Sequence, residues 1–175
     1  MYFGLSEEQK SLEENIQRFL SDNASLDIIK AVANGDEDKA KEVHKGIIEL
    51  GLSGLIVPEE YGGLELNMLF ATVVSAALGS GTAPVPFAGS YIMSPIAINL
   101  AGNAEQKNNW LPKIAGGEVQ VGVGISEYVG AREDAGIEFT NGKVSGRSLF
   151  VLSLIHISEP TRLLSISYAV FCLKK

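Results

Sequence analysis

The residues best suited to contact a ligand lie along one predicted strand and at its end. In the stretch 119–125, the valines and Ile125 share one face, whereas Gln120 and two glycines share the other. Glycines on one face of a strand allow a ligand or another backbone to approach closely. Ser126 and Glu127 follow at the strand's end. This segment is therefore the first candidate for ligand contact.

The other residue types that commonly carry catalysis are isolated in this sequence. His44 lies in a predicted helix without a Cys, His or carboxylate at ligand spacing, so a structural role is expected for it. Cys172 is the only cysteine. Gly122 and Gly124 lie inside a strand, where neither a dinucleotide fingerprint nor a Walker loop belongs. No nucleophile–base pair, metal-ligand set or phosphate-binding loop can therefore be read from the residues alone.

Composition restricts the class of protein. A chain of 175 residues with 46% apolar content can bury one or two modest cores. The net charge of −7 and the lack of a Lys/Arg-rich run argue against a nucleic-acid surface. The longest apolar stretch, 68–78, is well below the roughly 20 residues that span a bilayer, and the start lacks a secretory signal pattern. We therefore expect a cytoplasmic protein without a membrane span.

Helical periodicity dominates the first half of the chain. Ser6 with a glutamine three residues later is a capping-box pattern, and it predicts a first helix of about four turns. A turn and a short helix are expected within 22–38. The next clear helix is predicted over 37–50, with Gly51 as its left-handed C-terminal cap. A compact buried loop is expected to follow it.

Three further helices are predicted before the strand. The helix over 67–79 is apolar on all sides, so we expect it to be central and packed on several sides. Another helix should cover 88–100 and kink or restart at Pro95. The last, capped at Asn103, should end near Pro112.

The β pattern that follows is short. After the strand over 119–125, a hairpin is predicted from 137–140 and 143–151 around the tight turn Asn141-Gly142. The expected fold class is mainly α, a helical bundle over 1–118 followed by the start of a β domain over 119–151. So few strands do not make an independent sheet.

Two stretches resemble one known family. Gly-Leu-Ser-Gly-Leu-Ile-Val-Pro-Glu-Glu-Tyr-Gly-Gly at 51–63 resembles the loop between early helices of acyl-CoA dehydrogenases. The stretch 102–118 is similar to the sequence that precedes the family's β domain, because it contains the series Gly, Gln-Lys, Leu-Pro, Ala and Gly-Glu. The resemblance covers about residues 3–151. It implies an N-terminal acyl-CoA dehydrogenase-like helical bundle followed by the first strands of a truncated β-barrel domain.

The resemblance also implies an activity. Family members hold FAD between the helical and β domains and oxidise an acyl-CoA thioester to its 2,3-enoyl form. A carboxylate removes the α proton while hydride leaves the β carbon for the flavin. That Glu belongs to a C-terminal domain, so no catalytic residue is expected in this chain, and the fragment should be inactive. Electron-transfer flavoprotein or a similar acceptor would be the partner, in a homo- or hetero-oligomer.

Positions that match the family's motifs are the candidate site residues. Ser126 stands where Thr or Ser faces the flavin, and Phe150 stands where an aromatic ring packs beside it. Tyr91 lies near the expected acyl pocket, but a plain core role is the favoured interpretation for it. By this resemblance the expected cofactor contacts are Val123, Ile125, Ser126, Ala131, Arg132 and Phe150, and the expected substrate contacts are Tyr91 and Arg132.

One departure leaves a second function open. Where the family usually has Pro and then Gly-Ser-Asp, this chain has Tyr-Val-Gly-Ala-Arg-Glu at 128–133. Losing that serine removes a hydroxyl that serves flavin phosphate or pantetheine in the family. A non-catalytic partner subunit of a heteromeric dehydrogenase, or a helical interaction module, is therefore an alternative. The Ala-Pro-Val-Pro-Phe text at 83–87 resembles members that act on bulky or dicarboxylic acyl-CoAs, including steroid side-chain types.

The last residues differ in character from the rest. The stretch 152–175 resembles the in-frame translation of a sequencing adapter, so it is expected to be an artefactual tail and is excluded from the fold prediction. It holds Cys172, so the remaining sequence has no thiol. A natural pair of C-terminal strands is the alternative.

Overall fold

A computed structural model of the chain describes residues 4–123, 136–141 and 143–147. The predicted tail 152–175 lies outside these residues. In the described part, the helices and strands are α1 (Glu7–Asn23), α2 (Leu26–Ala33), α3 (Glu37–Glu49), α4 (Met68–Ser80), a π-helix (Phe87–Met93), α5 (Ser94–Ala101), α6 (Ala104–Ala115), β1 (Gly136–Thr140) and β2 (Lys143–Arg147). The mainly helical fold that the sequence predicts is confirmed.

The first helices form as their end signals predict. The Ser6 side chain accepts a hydrogen bond from the backbone N–H of Gln9, and the Gln9 side chain accepts one from the Ser6 N–H, which completes the capping box. The short helix predicted within 22–38 is α2. Gly51, directly after Leu50, has φ 75°, the left-handed conformation expected at this position.

The buried loop, residues 51–63, is held in place by its own backbone and by α6. Leu52, Leu55 and Val57 are fully buried, and two short 3₁₀ turns lie at 52–54 and 59–61. The Ser53 hydroxyl donates to the Ala115 carbonyl at 2.6 Å. The two sequence stretches that resemble the known family, 51–63 and 102–118, are therefore in direct contact.

The prediction that the apolar helix is surrounded on several sides is wrong for the chain as described. Helix α4 packs on α1 with one face, which carries Ala71, Val74 and Ala77. On the opposite side Met68 is 53% exposed and Leu69 is 67% exposed. Thr72, Ser75 and Ser80 lie on that exposed side, so a weak polar stripe does mark the uncovered face, although Met68 and Leu69 interrupt it.

The prediction for the helix at Pro95 is confirmed, whereas the prediction for the helix end at Pro112 is wrong. At Pro95 the helix changes type as predicted, because the π-helix ends at Met93 and α5 begins at Ser94. Helix α6 does not end near Pro112 but continues to Ala115. A proline removes only its own N–H donor, and the carbonyl that loses this bond belongs to Asn108, an exposed residue.

The β part is shorter than predicted. Residues 119–122 are neither helix nor strand, and Val123 forms an isolated β-bridge, so the strand predicted over 119–125 is wrong for its described part. The hairpin is confirmed as far as Arg147: β1 and β2 are antiparallel, with Thr140 opposite Lys143 across the predicted two-residue turn. Asn141 has φ 53°, as such turns require.

Candidate functional site

The residues that lead from the helices to the hairpin, 119–123, are here called the linking segment. Two buried serines hold its centre. The Ser90 hydroxyl donates to the Val121 carbonyl at 3.1 Å, and the Ser94 hydroxyl approaches the same carbonyl at 3.0 Å. Ser94 also lies 2.7 Å from the Gly89 carbonyl. Two hydroxyls from one helical region therefore converge on one backbone oxygen of the linking segment.

The π-helix makes this convergence possible. The backbone N–H of Ser94 bonds to the Gly89 carbonyl, five residues earlier, as in a π-turn. Ser90 and Ser94 are 0% and 2% exposed, so each hydroxyl needs a partner inside the protein. The Val121 carbonyl supplies that partner to both.

A second group of side chains contacts the linking segment one residue earlier. Tyr91 is fully buried, and its hydroxyl lies 2.5 Å from Nε2 of His44 on α3. The two rings are stacked, with centroids 5.8 Å apart. The side-chain nitrogen of Gln120 lies 3.2 Å from Nε2 and 3.4 Å from Nδ1 of the same imidazole. His44 thus links α3, the π-helix and the linking segment.

Burial determines the protonation states of this pair. Desolvation lowers the pKa of His44, because the charged imidazolium loses contact with water. Desolvation raises the pKa of Tyr91 to about 12, because the phenolate would be costly to bury. At neutral pH both groups are uncharged. The Tyr91 hydroxyl and Nε2 of His44 therefore form a hydrogen bond between two neutral groups, and the imidazole tautomer sets which of them donates.

Only two of the predicted site residues lie within the described part of the chain. Val123 is 3% exposed at the end of the linking segment. Tyr91 is 0% exposed, with its hydroxyl on His44. A substrate contact for Tyr91 therefore stays a prediction. Ile125, Ser126, Ala131, Arg132 and Phe150 lie outside the described residues.

The side chains of the linking segment do not conflict with the flavin that the family resemblance implies. The linking segment carries no ionisable side chain that would sit against an uncharged ring system. Val123 is 3% exposed as a whole residue, so it closes the described end of the linking segment, and the contact expected of its backbone with a bound ring stays a prediction. Backbone N–H and C=O groups pair well with the polar edge of such a ring.

Sequence reasoning missed the serines, Gln120 and the role of His44. Ser90 and Ser94 are polar residues four apart in an otherwise apolar helical stretch, a pattern that indicates a shared partner. His44 was predicted to be structural, and its contacts agree with that. Nothing local in the sequence links it to Tyr91, since 47 residues separate them.

Two other kinds of site are absent from the part of the chain that the structure describes. No group of three or more His, Cys, Asp or Glu residues is arranged there to hold a metal ion. Across the same residues, no helix is both long and apolar enough to cross a bilayer.

Comparison with known proteins gives a consistent result. The family model described as "Acyl-CoA dehydrogenase, N-terminal domain" matches residues 6–118. The (2S)-methylsuccinyl-CoA dehydrogenase of Cereibacter sphaeroides is 34% identical over 123 residues, which are 66% of this chain and 21% of that protein. The chain thus spans about a fifth of the length of this relative.

Comparison with solved structures points to the same family. The acyl-CoA dehydrogenase of Bacillus anthracis, complexed with FAD, matches with a TM-score of 0.60 and 26% identity over 70% of this chain and 21% of that one. A variant of the Tcur3481-Tcur3483 steroid ACAD matches with a TM-score of 0.67 and 25% identity, covering 83% of this chain and 41% of the other. The helices, the buried loop and the linking segment described above therefore belong to a member of the acyl-CoA dehydrogenase family.

Proposed function

We propose that this chain forms the N-terminal part of a flavin-dependent acyl-CoA dehydrogenase, an oxidoreductase that converts an acyl-CoA thioester to its 2,3-enoyl-CoA. The observation that carries the proposal is the match of the family's N-terminal domain to residues 6–118, directly before the linking segment. The relative that binds FAD in its solved structure supports the cofactor.

The proposed cofactor contacts begin at the end of the linking segment. Val123 would contribute its backbone, and Ser126 would contribute a hydroxyl toward the flavin ring. When bound, FAD supplies the hydride acceptor for the β carbon of the substrate. The remaining proposed contacts are Ile125, Ala131, Arg132 and Phe150 for the cofactor, and Tyr91 and Arg132 for the acyl-CoA.

The substrate class and partners are part of the same proposal. Of the relatives named above, one is a methylsuccinyl-CoA dehydrogenase and another is a steroid ACAD, which favours a bulky or dicarboxylic acyl group in fatty-acid or steroid side-chain β-oxidation. The catalytic carboxylate would come from a C-terminal domain, and electrons would pass to an electron-transfer flavoprotein or a similar acceptor. We place the complete protein in the cytoplasm, as a homo- or hetero-oligomer.

The direct test uses the complete reading frame recovered from source DNA. The purified protein should carry a flavin absorption band that bleaches when an acyl-CoA is added. A methylsuccinyl-CoA, a steroid acyl-CoA and a straight-chain acyl-CoA of similar length would be compared. A folded protein with no visible absorption would overturn the dehydrogenase proposal.

The stretch 128–133 favours a second candidate function. Its Tyr-Val-Gly-Ala-Arg-Glu replaces the Pro and Gly-Ser-Asp text typical of the family, so a non-catalytic partner subunit of a heteromeric dehydrogenase is the alternative. A colourless protein that forms a stable, flavin-containing complex with a neighbouring dehydrogenase subunit would support this alternative. Restoring Ser at position 132 (Arg132→Ser) should then increase flavin binding by the isolated chain.

A further inference from the structure

The most informative group outside the proposed contacts is the pair of serines on the linking segment. Among the buried residues of the described chain, Ser53, Ser90 and Ser94 are the polar ones. Ser53 serves the buried loop, whereas the other two converge on the Val121 carbonyl.

The linking segment is therefore fixed at two successive residues. The side chain of Gln120 is held at His44, and the carbonyl of Val121 is held at the serines. Val123 follows only two residues later, about 7 Å along an extended chain. A shift at Val121 would consequently move Val123, because two residues of backbone are too short to absorb the displacement.

We propose that Ser90 and Ser94 are positioning residues for the flavin site, which set the register at which the backbone of Val123 meets the cofactor. This inference rests on the proposed function. The serines themselves contact backbone only, so they act through the linking segment and are not catalytic residues. Ser90 is the cleaner one to vary, since Ser94 divides its hydroxyl between Gly89 and Val121.

The test compares Ser90→Ala with Ser80→Ala in the complete protein. The Ser80 hydroxyl also donates to a backbone carbonyl, that of Ala77 in its own helix, so the control removes a bond of the same kind away from the linking segment. Two quantities are measured: hydrogen exchange of the amides in 119–123, and the affinity and visible spectrum of bound FAD.

In Ser90→Ala we expect exchange across 119–123 to accelerate about threefold to tenfold, the size expected for loss of one hydrogen bond. FAD affinity should fall by a similar factor, with a shifted flavin band. Ser80→Ala should change neither. Ser90→Thr, which keeps the hydroxyl, should restore the flavin band, whereas a merely structural defect would not depend on the hydroxyl.

Two results would overturn the inference. Unchanged exchange in Ser90→Ala would show that the hydroxyl does not hold the linking segment. Faster exchange with unaltered FAD affinity and spectrum would show that the register of the segment does not matter to the cofactor. If the unaltered protein binds no FAD, the proposed function fails. The exchange measurement would still show whether the Ser90 hydroxyl holds the linking segment. The Ser94→Ala variant gives a second measurement should Ser90→Ala fold poorly.

Discussion

The buried loop and the linking segment are both irregular stretches packed against the same helices, yet different interactions hold them. In the buried loop, Leu52, Leu55 and Val57 are fully buried. The backbone of that region bonds largely to itself, as in the bond from the Leu66 N–H to the Leu55 carbonyl at 2.9 Å. The linking segment is held instead by the side chains of Ser90, Ser94 and His44, which come from other elements. The conformation of the buried loop depends mainly on its own backbone bonds, with one bond from Ser53 to Ala115 on α6, whereas that of the linking segment depends on distant side chains.

The largest effect should follow from removing an apolar anchor of the buried loop. Leu55→Ala should lower the free energy of unfolding by about 3 kcal/mol, because it removes buried methyl groups and leaves a cavity. Leu64→Ala is the matched control, since Leu64 is 51% exposed, and it should cost less than about 0.5 kcal/mol. Urea unfolding of both variants measures this. Equal losses of unfolding free energy in the two variants would contradict the view that buried apolar side chains stabilise the loop.

A smaller loss is expected from a glycine at the end of the buried loop. A Cβ on Gly63 would lie 2.0 Å from the Val57 carbonyl oxygen, which is backbone and cannot move aside. Gly63→Ala should therefore cost about 2 kcal/mol. Gly62→Ala meets nothing within 4 Å, but its φ of 81° is unfavourable for alanine, so about 1 kcal/mol is expected. The order of the two midpoints in urea tests whether the clash exceeds the backbone strain.

The same contrast explains how much could be predicted from the sequence. The capping boxes, the left-handed Gly51 and the hairpin turn are local patterns, and each is where the sequence predicts it. The covered face of α4 is only weakly marked, because Thr72 and Ser75 on the exposed face stand beside Met68 and Leu69. The contacts of the linking segment were not predictable: Ser90 and Val121 are 31 residues apart, and His44 and Gln120 are 76 apart. Long-range side-chain pairs leave no periodic signal.

A modest effect should follow from removing one hydroxyl behind the linking segment. Tyr91→Phe keeps the buried ring but deletes the hydroxyl that bonds to His44, which should cost about 1 kcal/mol. Tyr61→Phe, at a partly exposed tyrosine of the buried loop, should stay within about 0.5 kcal/mol. Thermal unfolding of the two variants gives the comparison. A Tyr91→Phe protein as stable as the parent would mean that the hydrogen bond merely offsets the cost of burying the hydroxyl.

The smallest effect is a pH dependence that should belong to the linking segment and not to the buried loop. Because burial lowers the pKa of His44, the unfolded chain binds more protons than the folded one as pH falls below about 6.5. The stability is therefore complete above that pH and is lost as pH falls toward the lowered pKa. His44→Gln should lose less stability between pH 7.5 and pH 5 than the parent, with His156 common to both proteins. Protonation would leave the imidazole of His44 with no acceptor nitrogen for its partners. Hydrogen exchange in 119–123 should therefore rise at pH 5 relative to that of Leu55 and Val57, after correction for the intrinsic pH dependence of exchange. An equal rise of hydrogen exchange in both regions would mean that acid destabilises the whole helical bundle. It would contradict a specific role of His44 in holding the linking segment.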